Sequence, residues 1–541
     1  MSKQEPQCEG IANQFSDVAQ AYPDFPAIVS EAAVISYAHL LAASITFAKR
    51  FQFLGVNRDS TIALNTGDMV MALASTMASS FLGCRIVTAG GTLREQGLIK
   101  PTHFFKTPEA RGRKTANFVE IDQSWFEDAV NASPEDAAAF PGFANPEDIW
   151  QILHTSGTTG KPKFIGLSHK IVSDRTAAIK ADFPTAQTTN AMLFNCTSRP
   201  FYARAIGALL NVGTIVDSED HTFWKTAGVN AVFCSPSQFK SYVEKNGMPL
   251  GFKKVEVSGA RLDDEIALLL TDCFEEVIDI YGASETNKSF ANVIKRQANA
   301  SIARYGKPLD SQVEIVDDNG NKLPNGQIGT VRVRNDYMIP GYIQAKEATE
   351  KNFRGGWFYP GDVGKFGRNG ELEIIGRNDE VMSFGGIKID AQLIDAILKA
   401  VDGVEDAICF KNPKADHNEV IAFVVFEEGS NPSDCIMEIR DQYQKHTKLP
   451  CFLGRIHEID RIPYNENGRP DPSFVTTDLE AKIERLVALY GYDMVGSETR
   501  NMLADLIQRE PDGVNAILGL TKRIRQLEKN AMKKVRGLME A

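Results

Sequence analysis

Residues 153–169 read LHTSGTTGKPKFIGLSH and form the most informative segment of the chain. Hydroxyl side chains and backbone N–H groups donate hydrogen bonds to anions, glycines let the backbone approach an anion closely, and lysines supply positive charge. The segment combines all three kinds of residue: Thr155, Ser156, Gly157, Thr158, Thr159, Gly160, Lys161 and Lys163. This combination predicts a loop that binds a polyphosphate.

The loop is not of the Walker A type. Pro162 follows Lys161 where that motif requires Ser or Thr, and the two glycines are only three positions apart. A surface loop rich in Ser, Thr and Gly, with two solvated lysines, is the competing interpretation. The loop alone leaves both interpretations open.

Length and composition indicate a multidomain globular chain. At 541 residues it exceeds the size at which a single hydrophobic core stops growing, about 250 to 300 residues. A net charge of -11 argues against nucleic acid or an anionic membrane as the main partner. The eight cysteines show no paired CxxC spacing, so we expect a reducing, cytoplasmic location, with no disulfides and no metal cage.

Neither the first ten residues nor the most apolar stretch of the chain has the pattern of a membrane-targeting or membrane-spanning segment. The first ten residues, MSKQEPQCEG, lack the apolar core of a signal peptide. Met69–Cys84 is the most apolar long stretch, but it contains four hydroxyl residues and is shorter than the eighteen or more apolar residues that span a bilayer. We therefore expect a buried helix there and no membrane segment.

The pattern of apolar runs changes twice along the chain. From about residue 30 to 300, short apolar runs alternate with helix-like stretches, which predicts an α/β domain. Glycine, asparagine and proline punctuate short alternating runs over 301–376, which predicts twisted strands and turns. We place a domain boundary at 376–380, a smaller α+β domain over 377–475, and a helical extension over 476–541.

Four motifs in order resemble the adenylate-forming superfamily of acyl- and aryl-CoA synthetases, peptide-synthetase adenylation domains and luciferases. They are TSGTTGKPK at 155–163, YGASET at 281–286, GWFYPGD at 356–362 and GRNDE at 376–380, and the resemblance spans about residues 15–475. It implies an N-terminal domain, residues 1–376, with two α/β halves and a small barrel-like subdomain. A mobile C-terminal domain would follow.

The resemblance also implies roles for individual residues in binding ATP and Mg²⁺. The phosphate loop would wrap the β- and γ-phosphates with Lys163 as its catalytic cation, Ser284 would contact the α-phosphate, and Glu285 would hold Mg²⁺. Asp379 would be the hinge between two poses of the small domain. The nucleoside and the adjoining backbone would be bound by Gly259, Ala260, Arg261, Tyr281, Gly282, Ala283, Asp362 and Arg377.

One departure from the family pattern concerns the catalytic lysine that bridges the substrate carboxylate and the α-phosphate. The matching stretch carries Gly468–Arg469 instead of Gly-Lys. Arginine keeps the charge, but a planar guanidinium does not replace a compact ammonium without a change of geometry. Either Arg469 performs the task in altered geometry, or the register differs, or the first half-reaction is weak.

A second set of cations concerns the acid substrate. The segment 195–207 contains no acidic residue that could anchor an α-ammonium group, whereas Arg199 and Arg204 lie in it and Lys288 follows the YGASET motif. An ordinary α-amino acid is therefore disfavoured. We hypothesise a substrate with a second anionic or strongly polar group paired by one of these cations, against the alternative that both arginines lie on the surface.

Taken together, the sequence predicts ATP-dependent activation of a small carboxylic acid as an acyl-adenylate, followed by transfer to coenzyme A or to the phosphopantetheine of an acyl-carrier protein. Two alternatives are a non-thiol acceptor such as an amine, and a catalytically weak nucleotide-binding homologue. The apolar positions of 517–538 recur at steps of three and four. They predict an intrachain cap, self-association into a homo-oligomer, or docking of a carrier protein.

Overall fold

The architecture is described from a computed structural model. It covers residues 10–88, 99–108, 118–127, 129, 132–155, 163–182, 187–196, 198–378, 381–384, 387–411, 419–445, 451–459 and 462. The chain divides into two compact units. The first ends at Pro360 and also includes Gly364–Ile374, and the second takes Gly361–Val363 and the described residues from Ile375 onward. The domain limits at 376 and 475 stay predictions.

The first unit contains two large sheets of α/β type. The seven-stranded sheet has the order β18 (Tyr342–Ile343), β8 (Lys163–Ser168), β7 (Ile149–Thr155), β4 (Arg85–Val87), β3 (Thr61–Asn65), β5 (His103–Lys106), β6 (Phe118–Glu120). The nine-stranded sheet has the order β15 (Ile302–Pro308), β14 (Asn287–Arg296), β13 (Phe274–Ala283), β12 (Phe252–Ser258), β11 (Ala231–Cys234), β9 (Thr189–Met192), β10 (Thr214–Val216), β1 (Pro26–Val29), β2 (Val34–Ser36). The strands in the middle of both sheets run parallel. Antiparallel pairs lie at both edges of the nine-stranded sheet and at the β18 edge of the seven-stranded sheet, whose other edge, β5 with β6, is parallel.

Helices cover these sheets. They are α1 (Ile11–Ala21), α2 (Tyr37–Phe53), α3 (Met69–Leu82), α4 (Ser124–Glu127), α5 (His169–Asp182), α6 (Arg199–Leu210), α7 (His221–Thr226), α8 (Pro236–Asn246), α9 (Asp264–Cys273) and α10 (Lys346–Asn352), with a 3-10 helix at Pro134–Ala139. One continuous apolar cluster joins residues of both sheets to α1, α2, α3 and α6, so these helices form a layer that shares its core with two sheets.

Helix α3 confirms the buried helix predicted for Met69–Cys84. All of its residues except Val70 are buried, because apolar neighbours surround it on every side. Asp68 caps its first turn by accepting a hydrogen bond from the Met71 N–H. Gly83 ends it at φ +66°, where a Cβ would lie 1.9 Å from the Gly142 carbonyl oxygen, so only glycine fits. No helix in the described part of the chain combines the length and apolarity of a membrane span.

A six-stranded sheet follows where the sequence predicts twisted strands. Its strands are β16 (Gln312–Val316), β17 (Gly329–Arg334), β19 (Phe353–Arg354), β20 (Trp357–Phe358), β21 (Asp362–Phe366) and β22 (Leu372–Arg377), in the order β19-β20-β17-β21-β22 with β16 paired to β17. The α/β class with a large N-terminal and a smaller C-terminal part is confirmed.

The second unit is of α+β type. Its elements are β23 (Val381–Phe384), β24 (Ile387–Asp390), α11 (Ala391–Lys399), β25 (Val404–Lys411), β26 (Glu419–Phe426), α12 (Pro432–Lys445) and β27 (Phe452–Glu458). Strands β25, β26 and β27 form a sheet, and Ile394, Leu398 and Ile439 of the two helices pack with its apolar residues. The predicted helical extension, 476–541, lies outside the described residues.

Candidate functional site

The predicted phosphate loop connects the two strands of a β-hairpin in the first unit. Strand β7 ends at Thr155, strand β8 begins at Lys163, and these two residues are register partners. Both ends of the loop therefore meet at one point on the edge of the seven-stranded sheet. Residues 156–162, which include the predicted Ser156, Gly157, Thr158, Thr159 and Gly160, lie outside the described residues.

The YGASET motif forms the turn of a second hairpin, between β13 and β14. Glu285 lies in this turn, and its side chain is almost fully buried, with the residue 8% exposed. Gly282 is required here because a Cβ would lie 2.3 Å from the Asn287 carbonyl oxygen on the facing strand. The tight hairpin thus fixes the direction in which Ser284 and Glu285 leave the sheet.

Tyr342 links the two hairpins. Its strand, β18, pairs with β8, so Tyr342 is the register partner of Ile165. The hydroxyl donates a hydrogen bond to Glu285 Oε1 at 2.8 Å, and the Lys163 ammonium lies over the ring, 4.9 Å from its centroid. The predicted loop lysine and the predicted metal ligand therefore contact the same aromatic residue, one over its ring and the other at its hydroxyl. Sequence reasoning missed Tyr342.

Arg175 holds the Glu285 turn from behind. This buried side chain on α5 donates hydrogen bonds to three backbone carbonyls, those of Ser284 at 3.1 Å, Glu285 at 2.8 Å and Tyr337 at 3.0 Å. Burial, followed by repulsion from Arg199, lowers the pKa of Arg175 well below its ordinary value. Arg175 also escaped the sequence prediction, since backbone carbonyl partners leave no motif.

The carboxylate of Glu285 has the chemistry of a Mg²⁺ ligand. Its hydrogen bond comes from a neutral hydroxyl, and among the described residues no lysine or arginine forms an ion pair with it. Carboxylate oxygen is the ligand type that Mg²⁺ prefers. No cluster of three or more acidic, His or Cys side chains suited to a metal occurs within the described ranges. Proteins commonly bind Mg²⁺ through one or two carboxylates together with substrate phosphates.

The predicted nucleoside residues of the first unit lie at the carboxyl ends of neighbouring strands. Strand β12 ends at Ser258, which is the register partner of Ile280, next to Tyr281 in β13. Gly259, at φ +97°, then turns the chain into the exposed residues Ala260 and Arg261. The structure therefore brings Gly259–Arg261 together with Tyr281–Ala283, while their contact with adenine stays a prediction.

Asp362 and Arg377, predicted to bind the ribose, form an ion pair within the second unit. Arg377 Nη1 and Asp362 Oδ1 are 2.8 Å apart, and the Asn378 N–H donates to the Gly361 carbonyl at 2.6 Å. These contacts hold the carboxylate and the guanidinium at the start and end of neighbouring strands. Asp379 and Arg469 lie outside the described residues.

The three predicted substrate cations are not on the surface. Arg204 and Lys288 have side chains only 8% and 10% exposed, and both pair with Glu256, a buried acid that the sequence analysis did not consider. Burial would raise the pKa of Glu256, but Lys288 and Arg204 hold it below its ordinary value. Arg199 begins α6, and burial followed by repulsion from Arg204 lowers its pKa to about 10.

Comparison with known proteins places this site in a family. Residues 15–343 match the family model described as AMP-binding enzyme, more than half of the chain. The chain belongs to the AMP-binding enzyme family. Membership in that family agrees with the resemblance inferred from the four sequence motifs.

A curated coenzyme A ligase is among the proteins that are similar in sequence to this chain. The oxalate–CoA ligase of Saccharomyces cerevisiae is 26% identical over 358 residues, which are 63% of this chain and 64% of the ligase. The chain thus spans less than two thirds of that relative.

Two solved structures share the fold of this AMP-binding family member. The amide bond synthetase McbA from Marinactinospora thermotolerans is 19% identical, covers 86% of this chain and 99% of its own, and gives a TM-score of 0.67.

The second structure is the O-succinylbenzoate coenzyme A synthetase MenE from Bacillus subtilis, in complex with AMP. It is 16% identical, the alignment covers 85% of this chain and 96% of the synthetase, and the TM-score is 0.67. Both alignments extend well beyond the residues that the family model matches.

Proposed function

We propose that the chain activates a carboxylic acid with ATP. A carboxylate oxygen of the acid attacks the α-phosphorus, the bond from that phosphorus to the bridging oxygen breaks, and pyrophosphate leaves with the bonding electrons. The product is an acyl-adenylate. The single observation that carries this proposal is the convergence of Lys163 and Glu285 on Tyr342.

The reaction brings together the carboxylate of the acid and the triphosphate of ATP, which are both anions. The site therefore needs positive charge close to the reacting atoms. Lys163 supplies an ammonium at the end of the phosphate loop, and the Glu285 turn lies beside it with its backbone held by Arg175. Preorganised charges of this kind act without reorganisation when negative charge shifts onto the leaving group. Mg²⁺, when bound through Glu285, supplies further neutralisation of the phosphates.

We propose transfer of the acyl group to a thiol as the second step. The sulfur of coenzyme A or of a carrier's phosphopantetheine attacks the acyl carbon, the carbon–oxygen bond to AMP breaks, and the thiol proton is released. The similarity to a coenzyme A ligase supports this acceptor. A non-thiol acceptor, such as an amine, is the second candidate because Arg469 replaces the lysine of the family pattern and the fold also matches an amide bond synthetase.

Exchange of labelled pyrophosphate into ATP, over a panel of carboxylic acids, tests the first step. We expect acid-dependent exchange that falls about 10² to 10³-fold in Lys163→Ala. The matched control is Lys225→Ala, whose ammonium also lies over an aromatic ring, that of Phe252 at 6.0 Å, in a different part of the unit. ATP binding without exchange by any acid would instead identify a catalytically weak homologue.

Trapping with hydroxylamine and product analysis distinguish the acceptors. A hydroxamate forms from the acyl-adenylate with either acceptor. Thioester formation with coenzyme A or a phosphopantetheinylated carrier supports the thiol, while exchange with amide formation and no thioester supports the amine.

A further inference from the structure

A cavity of about 350 Å³ lies within the first unit, and Arg204, Glu256 and Lys288 are among its lining residues. Helices α5 and α6 form one wall, through Ile179, Gly207 and Ala208 among others. The strands from β9 to β15 in the nine-stranded sheet form the other wall. The hairpin of β7 and β8 that carries the phosphate loop, here called the phosphate hairpin, belongs to the seven-stranded sheet. The cavity is therefore a separate space with its own charged residues.

The inner end of the cavity holds more buried positive than negative charge. Glu256 Oε1 accepts from Arg204 Nη2 at 2.8 Å, and Oε2 accepts from the Lys288 ammonium at 2.6 Å. The three side chains are 1%, 8% and 10% exposed in the order Glu256, Arg204, Lys288. Two cations thus share one carboxylate, and one positive charge is left over in a region with little water.

The other charged residues of the lining lie nearer to solvent. Lys254 also lines the cavity and is half-buried, while Lys253, Lys307 and Glu276 are exposed at its mouth. Exposed charges are solvated and therefore contribute little to the preference of the cavity for a charged ligand. Lys254 has an acid of its own nearby, because Glu276 is its register partner on β13. The buried part therefore sets the preference, and there Arg204 and Lys288 face the single acid Glu256.

Arg204 is held in a fixed position with donor capacity unused. Its guanidinium carbon lies 5.0 Å from the ring centroid of Phe194 and 5.4 Å from that of Phe233. The buried Nε has no hydrogen-bond partner among the residues that the structure describes. An uncompensated buried cation and an unsatisfied donor both cost free energy, and an anionic ligand offsets both.

The cavity adjoins the reacting groups. Lys288 is three residues beyond Glu285, at most about 10 Å along the chain. Arg204 also donates to Ser258 Oγ at 2.9 Å, immediately before the predicted nucleotide residue Gly259. An acid whose reacting carboxylate lies near Glu285 can therefore extend its other end to Arg204 and Lys288.

We propose that this cavity holds the acyl part of the substrate, and that the substrate is an acid with a second anionic group bound by Lys288 and Arg204. The inference rests on the proposed adenylation. It disfavours an ammonium group, because both Glu256 oxygens already accept from cations and a further cation would increase the excess. It also disfavours a purely apolar chain, which would leave the buried charge uncompensated.

The test compares acids of equal length that differ only at the far end. Pyrophosphate exchange is measured with α,ω-dicarboxylates of four to eight carbons, with the corresponding monocarboxylates, and with the ω-amino acids. We expect the best dicarboxylate to exceed its monocarboxylate about 10- to 100-fold in kcat/KM, and the amino acid to be the poorest.

Two variants test the residues. Lys288→Met leaves Glu256 paired with Arg204, so the buried pair stays neutral, and it should reduce the preference for dicarboxylates at least tenfold while the KM for ATP stays unchanged. Lys253→Met, at the exposed mouth, is the matched control and should keep the preference. Equal or better exchange with monocarboxylates in the wild-type chain overturns the inference but leaves the adenylation proposal intact.

A binding measurement covers the case in which adenylation itself is absent. Calorimetric titration of the full chain with the same acids, without ATP, should detect the dicarboxylate in the wild type and lose it in Lys288→Met. No exchange with any acid, together with this binding, contradicts the proposed function alone. Absence of dicarboxylate binding in both assays contradicts the inference.

Discussion

Replacement of Tyr342 by Phe tests the link between the two hairpins with the smallest chemical change. The variant keeps the ring beneath the Lys163 ammonium and removes only the hydroxyl that donates to Glu285 at 2.8 Å. Hydrogen bonds to charged groups contribute about 1.5 to 3 kcal/mol. If this bond orients the carboxylate for catalysis, its loss lowers the exchange rate about 10- to 150-fold.

Stability should also fall, so it is measured separately from the rate. The same hydroxyl accepts a hydrogen bond from Asn352 Nδ2 at 3.3 Å, and the loss of both bonds should lower the free energy of unfolding by about 2 to 4 kcal/mol. Pyrophosphate exchange and urea unfolding are measured on the same preparation. The control is Tyr242→Phe, which removes another buried hydroxyl, 3.1 Å from His221 Nδ1, and should leave exchange unchanged.

The outcome that refutes the reasoning is specific. A folded Tyr342→Phe variant whose exchange stays within twofold of the wild type would show that the hydroxyl does not position Glu285 for the reaction. A parallel loss of exchange in Tyr242→Phe would show that the assay reports stability instead.

Three further predictions concern the supports of the site and its pH dependence. Arg175→Met leaves three backbone carbonyls without their donor and should lower the free energy of unfolding by about 3 kcal/mol or more, as measured in urea; a change under 1 kcal/mol contradicts the role given to this arginine. Gly282→Ala would place a Cβ 2.3 Å from the Asn287 carbonyl oxygen and should displace the turn, so that exchange falls at least tenfold in a chain that still folds by circular dichroism. Burial lowers the pKa of Lys288 to about 8, so its positive charge is complete below that pH and is lost above it. The KM for a dicarboxylate should therefore rise as the pH passes about 8 while that for a monocarboxylate stays level, and parallel profiles for the two acids would count against the assigned contact.

Much of the fold was predictable because it depends on local patterns. The apolar stretch from Met69 to Cys84 has the length of a helix and lacks charge, and it forms the buried α3. The glycines and hydroxyl residues before Lys163 predicted a loop, and its flanking residues form a hairpin. Such features are written in consecutive residues, so one sequence suffices to find them.

The parts that the sequence did not predict depend on long-range pairing. Tyr342 reaches Glu285 only because a two-residue strand pairs with β8, which is distant in the chain. Arg175 acts on backbone carbonyls, which every residue has. Glu256 lies on a buried strand between apolar residues, where the alternating pattern indicates only a side chain on one face. The pairing of Glu256 with Arg204 depends on the order of strands in the sheet, which the periodicity of the sequence does not give.

A double-mutant cycle on ATP binding tests whether Lys163 and Glu285 act on the same nucleotide. Dissociation constants of ATP with Mg²⁺ are measured by calorimetry for the wild type, Lys163→Ala, Glu285→Gln and the double variant, and again with AMP. If both side chains act on one triphosphate and its metal, the two substitutions should be non-additive for ATP by about 0.5 to 3 kcal/mol and additive for AMP, which lacks the β- and γ-phosphates. Additive effects on ATP binding would contradict the claim that the phosphate hairpin and the Glu285 turn form a single site.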